Sequence, residues 1–134
     1  MRHRVHGKRL HRSSAHRLAL RRNLARSLFA SFGGKGYIVT THEKAKFVRP
    51  FAEKLITLAK EMTLAKYRRG IQILRDESMV KKLFGEIGPA YRDVSGGYLR
   101  ILRTGDRRLG DKGRLVILSF VAPGGAEAGE GGAA

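Results

Sequence analysis

Residues 42–62, HEKAKFVRPFAEKLITLAKEM, carry the clearest helical pattern in the chain. Apolar side chains recur there every three or four residues: Ala45, Val48, Phe51, Ala52, Leu55, Ala59 and Met62. This spacing predicts an amphipathic helix that packs one face against a core. Thr40 and Glu43 have the spacing of a capping box, which predicts the start of the helix. Pro50 lies inside the pattern and predicts a kink or a new helix start, because proline has no backbone N–H.

Three further segments predict helices beside this one. Residues 14–31 begin with a serine that can cap a helix, and they carry two apolar columns: Leu20, Leu24 and Leu28 in one, and Leu18, Ala25 and Phe29 in the other. A third helix is predicted over residues 63–75. Asp76 then has the position of an N-cap for a short fourth helix, which we expect Gly88 and Pro89 to end.

Three segments predict strands. Residues 37–40 follow a glycine-rich turn at 33–36, residues 98–103 alternate in polarity, and residues 114–121 form a more continuously apolar run. A basic loop over residues 104–113 joins the last two strands as in a β-hairpin. This order of elements predicts a two-layer α+β fold, in which about four helices pack on a small three-stranded sheet.

The two ends of the chain differ from the middle in composition. Residues 1–13 are basic and nearly free of apolar side chains, so we expect an extended arm that becomes ordered on its partner. Residues 14–121 contain the apolar side chains of one globular domain. Residues 122–134 are rich in Gly and Ala, and we expect this tail to be disordered.

Positive charge is concentrated at the start of the chain. The formal net charge is +17, and residues 1–42 contain ten Lys and Arg residues but no Asp or Glu. Most of these residues are arginines, whose guanidinium groups match phosphate oxygens bidentately. The pattern predicts a polyanionic partner such as a nucleic acid.

Several other classes of function are disfavoured. The chain has no cysteine, and no apolar run approaches the length of about 20 residues that spans a membrane. His3, His6, His11 and His16 match no zinc-ligand spacing, and the surrounding positive charge opposes cation binding. The acidic residues are scattered, with only Asp106 and Asp111 sharing one loop, so a magnesium-dependent nuclease is not expected. We therefore predict no enzyme activity, no metal site and no cofactor.

The aromatic residues divide into two groups. Phe47, Phe51, Tyr67, Phe84 and Phe120 lie on or beside apolar faces, which predicts that they belong to the core. Tyr37, Tyr91 and Tyr98 border glycine-rich or basic turns, and are the better candidates for stacking on exposed bases.

Motifs spread along residues 1–121 resemble those of one family, ribosomal protein seventeen of the bacterial large subunit. They are MRHR at 1–4 with Gly7 and Leu10; RSSAHR at 12–17; Arg22-Asn23 with Ser27-Leu28; Thr40-Thr41 with KAK at 44–46; LITLAK at 55–60; KLF at 82–84 with Glu86 and Gly88-Pro89; GGY at 96–98 with RIL at 100–102; and Arg108 with Gly110-Asp111. The turn at 33–36 and the tail at 122–134 depart from the family pattern.

The resemblance implies a non-enzymatic structural constituent of the large ribosomal subunit, located in the cytoplasm on a bacterial or bacterial-type ribosome. Its implied partners are large-subunit ribosomal RNA and neighbouring ribosomal proteins near the polypeptide exit tunnel. Neither a membrane nor a small-molecule substrate is expected as a partner.

The predicted RNA-binding residues come from the resemblance and from the charge pattern. The motifs imply RNA contacts for Arg2, His3, Arg4, Arg12, His16, Arg17, Arg22, Lys44 and Lys46. The basic segments add Lys8, Arg9, Arg21, Arg26, Arg68, Arg69, Arg100, Arg107 and Arg108. One alternative remains open: a free-standing, non-specific nucleic-acid-binding protein that compacts DNA would share this charge but not the family motifs. Such a protein would more often present a dimer seam or a recognition helix.

Overall fold

The helix predicted over residues 42–62 is central to the fold. The computed structural model describes His3 and residues 9–122. In chain order its elements are α1 (Ser14–Ser31), β1 (Tyr37–Thr41), α2 (His42–Ala59), α3 (Leu64–Leu74), α4 (Glu77–Lys82), a π-helical turn (Leu83–Ile87), α5 (Gly88–Ala90), β2 (Leu99–Arg107) and β3 (Arg114–Phe120). The helices pack on one face of the three-stranded sheet, which confirms the predicted two-layer α+β fold.

The apolar face of α2 forms much of the core. It buries Ala45, Phe47, Val48, Ala52, Leu55, Ile56 and Ala59. Met62, which the pattern placed on the same face, lies beyond the end of the helix and is 65% exposed. The helix continues through Pro50, whose side chain is exposed, so no second helix starts there.

The predicted capping box at the start of α2 is wrong. Thr40 lies in β1 opposite Val116 of β3, and Thr41 is the N-cap residue. The side chain of Thr41 makes no capping hydrogen bond. Because β1 runs through Thr41 directly into the helix, Thr40 is held in the sheet and cannot cap the helix.

The predicted cap of α4 at Asp76 is confirmed, and α3 starts at Leu64, one residue after the predicted position, with Thr63 as its N-cap. The side chain of Thr63 accepts a hydrogen bond from the backbone N–H of Lys66, and Asp76 accepts one from that of Met79. These side chains provide partners for backbone donors that have none within the helix.

The predicted helix end at Gly88 is wrong. The helical backbone continues through the π-helical turn into α5, and Gly88 has right-handed angles, φ −55° and ψ −53°. A Cβ atom at Gly88 would lie 2.1 Å from the carbonyl oxygen of Ala59. Glycine is therefore required here because the backbone of α5 contacts the end of α2, and not because the helix stops.

The last strand in sequence is the middle strand of the sheet. The strand order is β1-β3-β2, and both pairings are antiparallel. Val116, Leu118 and Phe120 alternate into the core on β3, beside Leu99 of β2. β2 extends past its predicted end at residue 103, with a register shift before Arg107 pairs with Arg114. No helix of the described residues is long and apolar enough to cross a membrane.

Candidate nucleic-acid interface

The first helix contains a half that is outside the core. Ala25, Leu28 and Phe29 are buried, but no residue of α1 before Ala25 is buried. Leu18, which the pattern placed in an apolar column, is 38% exposed. Residues 14–23, here called the basic half of α1, therefore lie outside the core, with their side chains exposed or half-buried.

Arginine side chains form hydrogen bonds with the backbone just before α1 and with its first residue. Ser13 caps α1 by accepting a hydrogen bond from the backbone N–H of His16. The guanidinium of Arg17 donates to the carbonyl oxygen of Arg12 at 2.7 Å and to the Ser14 hydroxyl at 3.3 Å. Arg12 donates to the carbonyl oxygen of Leu10. These bonds engage neutral acceptors, so both guanidinium charges are left uncompensated by any carboxylate of the described residues.

Arg21 is packed against the second helix. Its guanidinium carbon lies 4.5 Å from the centroid of the Phe47 ring, which is a cation–π contact. Its Nε atom is buried without a hydrogen-bond partner among the described residues. Arg21 therefore contributes to the contact between α1 and α2 as well as to the positive surface.

Arg22, Arg26 and Arg75 form a positive cluster where α1 meets α3. The Nε of Arg22 donates to the carbonyl oxygen of Ile73 at 2.7 Å. Burial lowers the pKa of Arg22, and the positive charges of Arg75 and Arg26 lower it further. Hydrogen bonds from Ser78 and from the backbone N–H of Met79 lower the pKa of Asp76, and Arg26 adds a smaller effect. The Asp76 carboxylate is therefore charged beside the cluster at neutral pH.

The remaining predicted residues are distributed over the surface. Lys46, Arg68 and Arg69 are exposed, and Lys44 is half-buried. His3, Arg9 and His16 are exposed too. Arg2, Arg4 and Lys8 lie outside the described residues, so their prediction stands as it was made.

The end of the β2–β3 hairpin is stabilised by an acid. Arg108 donates two hydrogen bonds to Asp111, one of them from Nε to Oδ1 at 2.9 Å. This ion pair and a hydrogen bond from the Gly113 backbone N–H lower the pKa of Asp111 to about 2, and Asp111 raises the pKa of Arg108. Arg107 donates to the carbonyl oxygen of Lys112 at 3.2 Å. Arg108 thus reaches an RNA phosphate only if it shares its guanidinium with Asp111.

Two of the three tyrosines proposed for base stacking are buried instead. Tyr91 and Tyr98 are each 1% exposed, and their ring centroids are 5.4 Å apart. The Tyr91 hydroxyl donates to the carbonyl oxygen of Val121, and the Tyr98 hydroxyl lies 3.0 Å from that of Thr57. Their glycine-rich sequence neighbours gave a misleading signal, since tertiary packing covers both rings. Tyr37 is half-buried.

Sequence reasoning missed basic residues on the strands of the hairpin. Arg100 was predicted and is half-buried, with its Nε unpartnered within the described residues. Arg103 and Arg114 were not predicted, and both are exposed on the same hairpin. Together with Arg107 and His42 they line an open cavity of about 220 Å³. Within the part of the chain that the structure describes, no group of three metal-ligating side chains occurs.

Comparison with known proteins gives independent evidence on the family of this chain. The family model for Ribosomal protein L17 matches residues 20–121. The chain is 46% identical over 121 residues to large ribosomal subunit protein bL17 of Sulfurihydrogenibium sp. (strain YO3AOP1), a match that covers 90% of this chain and 97% of that protein. It is 46% identical over 121 residues to bL17 of Thermus thermophilus, covering 90% and 99%, and 47% identical to bL17 of Desulfotalea psychrophila, covering 90% of each chain. This chain belongs to the ribosomal protein L17 family.

Proposed function

We propose that this protein is a structural component of the large ribosomal subunit that binds large-subunit ribosomal RNA in the cytoplasm. It has no enzymatic role in this proposal. Family membership supports the placement in the large subunit. The observation that supports RNA binding is the basic half of α1, which has no buried residue and none of whose arginines forms an ion pair with a described carboxylate.

The basic half of α1 has the properties of an RNA-binding element. A helix segment with few core contacts has little tertiary stabilisation of its own, since helical stability in proteins comes mainly from packing. Phosphates laid along it would neutralise Arg17 and Arg22, and Arg26 one turn further on, and would add the missing contacts. We expect the arm at residues 1–13 to continue this contact and to become ordered on RNA.

Recognition in this proposal depends mainly on RNA shape and backbone. Arginine and lysine supply phosphate contacts, which position a protein without reading sequence. Tyr91 and Tyr98 are buried, so they cannot stack on splayed bases. Shape recognition is typical of proteins that bind double-stranded RNA. We place the protein near the polypeptide exit tunnel beside other ribosomal proteins, on the resemblance alone.

The DNA-compacting alternative is not favoured. It would explain the charge of +17, but it would not explain a family match that spans the globular domain. It predicts weak association that is lost at moderate salt, because non-specific binding depends on counterion release.

Sedimentation of a tagged copy from bacterial lysate at low and high salt tests the proposal. We expect co-migration with the large subunit that survives high salt. Arg17→Glu should reduce this incorporation strongly, because it reverses a charge on the basic half of α1. The first turn of α1 contains no acid, so a glutamate near its N-terminus is compatible with the helix.

Lys54→Glu is the matched control, since Lys54 is exposed on α2 and is not a predicted contact. It should incorporate like the parent protein. Release of the parent into light fractions at moderate salt would instead favour the non-specific binder. Equal incorporation of Arg17→Glu and the control would remove α1 from the proposed interface. The proposal assigns no role to residues 122–134.

A further inference from the structure

The β2–β3 hairpin changes chemistry where it passes the end of the core. On β2, Leu99 and Ile101 pack on the helices, and Arg103 follows them at the same two-residue spacing. On β3, Val116 is buried, and Arg114 precedes it by two residues. Alternate residues of a strand share one face of the sheet. Each strand therefore continues its core-facing row with an arginine.

These arginines meet the start of α2 around one cavity. Arg103, Arg107 and Arg114 line an open cavity of about 220 Å³, and His42, the first residue of α2, lies on its wall. The N-terminal end of a helix carries partial positive charge from its peptide dipoles. Three arginines and the positive end of a helix thus border the same cavity.

The wall of the cavity carries less negative than positive charge. Asp106 is the acid on this wall, against three arginines. Asp106 forms no ion pair with Arg103, Arg107 or Arg114 within the described residues. Arg107 donates to a neutral carbonyl oxygen, that of Lys112. Clustered like charges destabilise the free protein, and an anion in the cavity would remove that repulsion.

We propose that this cavity binds a phosphate group of the RNA backbone, with Arg103 and Arg114 as its principal donors. The inference rests on the proposed function and adds a second RNA contact, on the hairpin. Arginine forks match tetrahedral oxyanions bidentately. Free phosphate offers the same chemistry, but the three arginines are exposed and adjoin the basic residues of the hairpin end, which suits a continuous polyanion. The three arginines on its lining disfavour an apolar protein segment as the occupant, because such a segment would bury their charges without a partner.

Titration of RNA binding against salt tests this site. The probe is large-subunit ribosomal RNA transcribed in vitro, with small-subunit ribosomal RNA as a specificity control. Arg103→Gln combined with Arg114→Gln should weaken binding roughly tenfold and reduce the slope of log K against log salt by about one phosphate contact. Lys54→Gln combined with Arg92→Gln is the matched control. Both residues are exposed and lie off the hairpin, and their replacement removes the same two positive charges.

A thermal unfolding series with inorganic phosphate keeps folding and binding separate. At low salt, the hairpin double variant should be at least as stable as the parent, because a repulsive cluster has been removed. Equal affinities and salt slopes for the hairpin and control variants, with a parent that binds specifically, would overturn the site but not the proposed function. A parent that does not distinguish the two RNAs would overturn the proposed function itself. If inorganic phosphate raises the melting temperature of the parent but not of the hairpin double variant, and the two bind RNA equally, the cavity binds free phosphate and the RNA assignment is overturned.

Discussion

The Nε of Arg22 in α1 donates a hydrogen bond of 2.7 Å to the carbonyl oxygen of Ile73 in the last turn of α3. Carbonyls at the end of a helix lack partners within the helix. Arg22 therefore links two helices that are distant in sequence, in addition to its proposed contact with RNA. The structure gives this residue a role in folding that the charge pattern did not reveal.

Arg22→Ala should lower the free energy of unfolding by about 1.5–3 kcal/mol, the usual contribution of a hydrogen bond from a charged group. Urea unfolding of the RNA-free protein measures this. Arg26→Ala is the control, because Arg26 bonds only to Arg22 and Asn23 of its own helix among the described residues. That variant should change stability by less than about 0.5 kcal/mol. Equal effects of the two variants would contradict the proposed link to α3.

Gly88→Ala should be strongly destabilising, by roughly 3 kcal/mol or more, because the new Cβ would overlap the backbone of Ala59. Gly85→Ala is the matched control in the preceding π-helical turn. A Cβ at Gly85 would meet no atom within 4 Å, and alanine restricts the unfolded chain, so stability should stay equal or rise by about 0.5 kcal/mol. Chemical denaturation distinguishes the pair. Similar denaturant midpoints for the two variants would show that α5 can move away from α2 with no loss of folding free energy.

Tyr91→Phe should cost about 1 kcal/mol at neutral pH, because it leaves the carbonyl oxygen of Val121 without its donor. Burial raises the pKa of Tyr91 to about 12 from an ordinary value of 10.0. Since the folded pKa is the higher one, the stabilisation is complete below pH 10 and is lost as pH rises towards 12. The stability difference between parent and variant should therefore narrow over that window. A stability difference between parent and variant that stays constant from pH 10 to 12 would contradict a buried Tyr91 that is protonated in the folded state.

Arg108→Gln should raise the pKa of Asp111 from about 2 towards its ordinary value of 3.8, as measured by NMR titration of the carboxyl carbon. The rise should be incomplete, because the Gly113 backbone N–H still donates to the carboxylate. Lys112→Gln removes one charge from the same loop without touching the ion pair, and should leave the pKa of Asp111 nearly unchanged. Equal shifts in the two variants would show that general field effects, and not the ion pair, lower this pKa.

The parts of the fold predicted from sequence are those determined by local interactions. The apolar period of α2 and the cap at Asp76 depend on neighbours within a few residues, so they could be recognised. Gly88 was assigned to a helix end because glycine commonly has that role. Its actual constraint is the approach of Ala59, which is distant in sequence and leaves no local signal.

The candidate site was predicted only in part, for a related reason. Charge density alone predicts the basic half of α1 as an interface, and that prediction is still to be tested. Arg103 and Arg114 were missed because each was considered within its own strand, and the sheet register that brings them to one cavity is a long-range property. A signal was present, since the row of Leu99 and Ile101 continues to residue 103. Tyr91 and Tyr98 were wrongly expected at the surface because burial depends on which elements cover a residue.

The position of β3 in the sheet has a consequence for biosynthesis. Neither β1 nor β2 pairs with the other, since both pair with β3. A nascent chain emerges N-terminus first, so the helices can associate while both outer strands still lack hydrogen-bond partners. β1 cannot pair before β3 is synthesised, because Tyr37 is opposite Ser119 in the sheet. The sheet therefore closes only when residues 114–120 have been made, and until then a newly synthesised copy exposes unpaired strand edges to its surroundings.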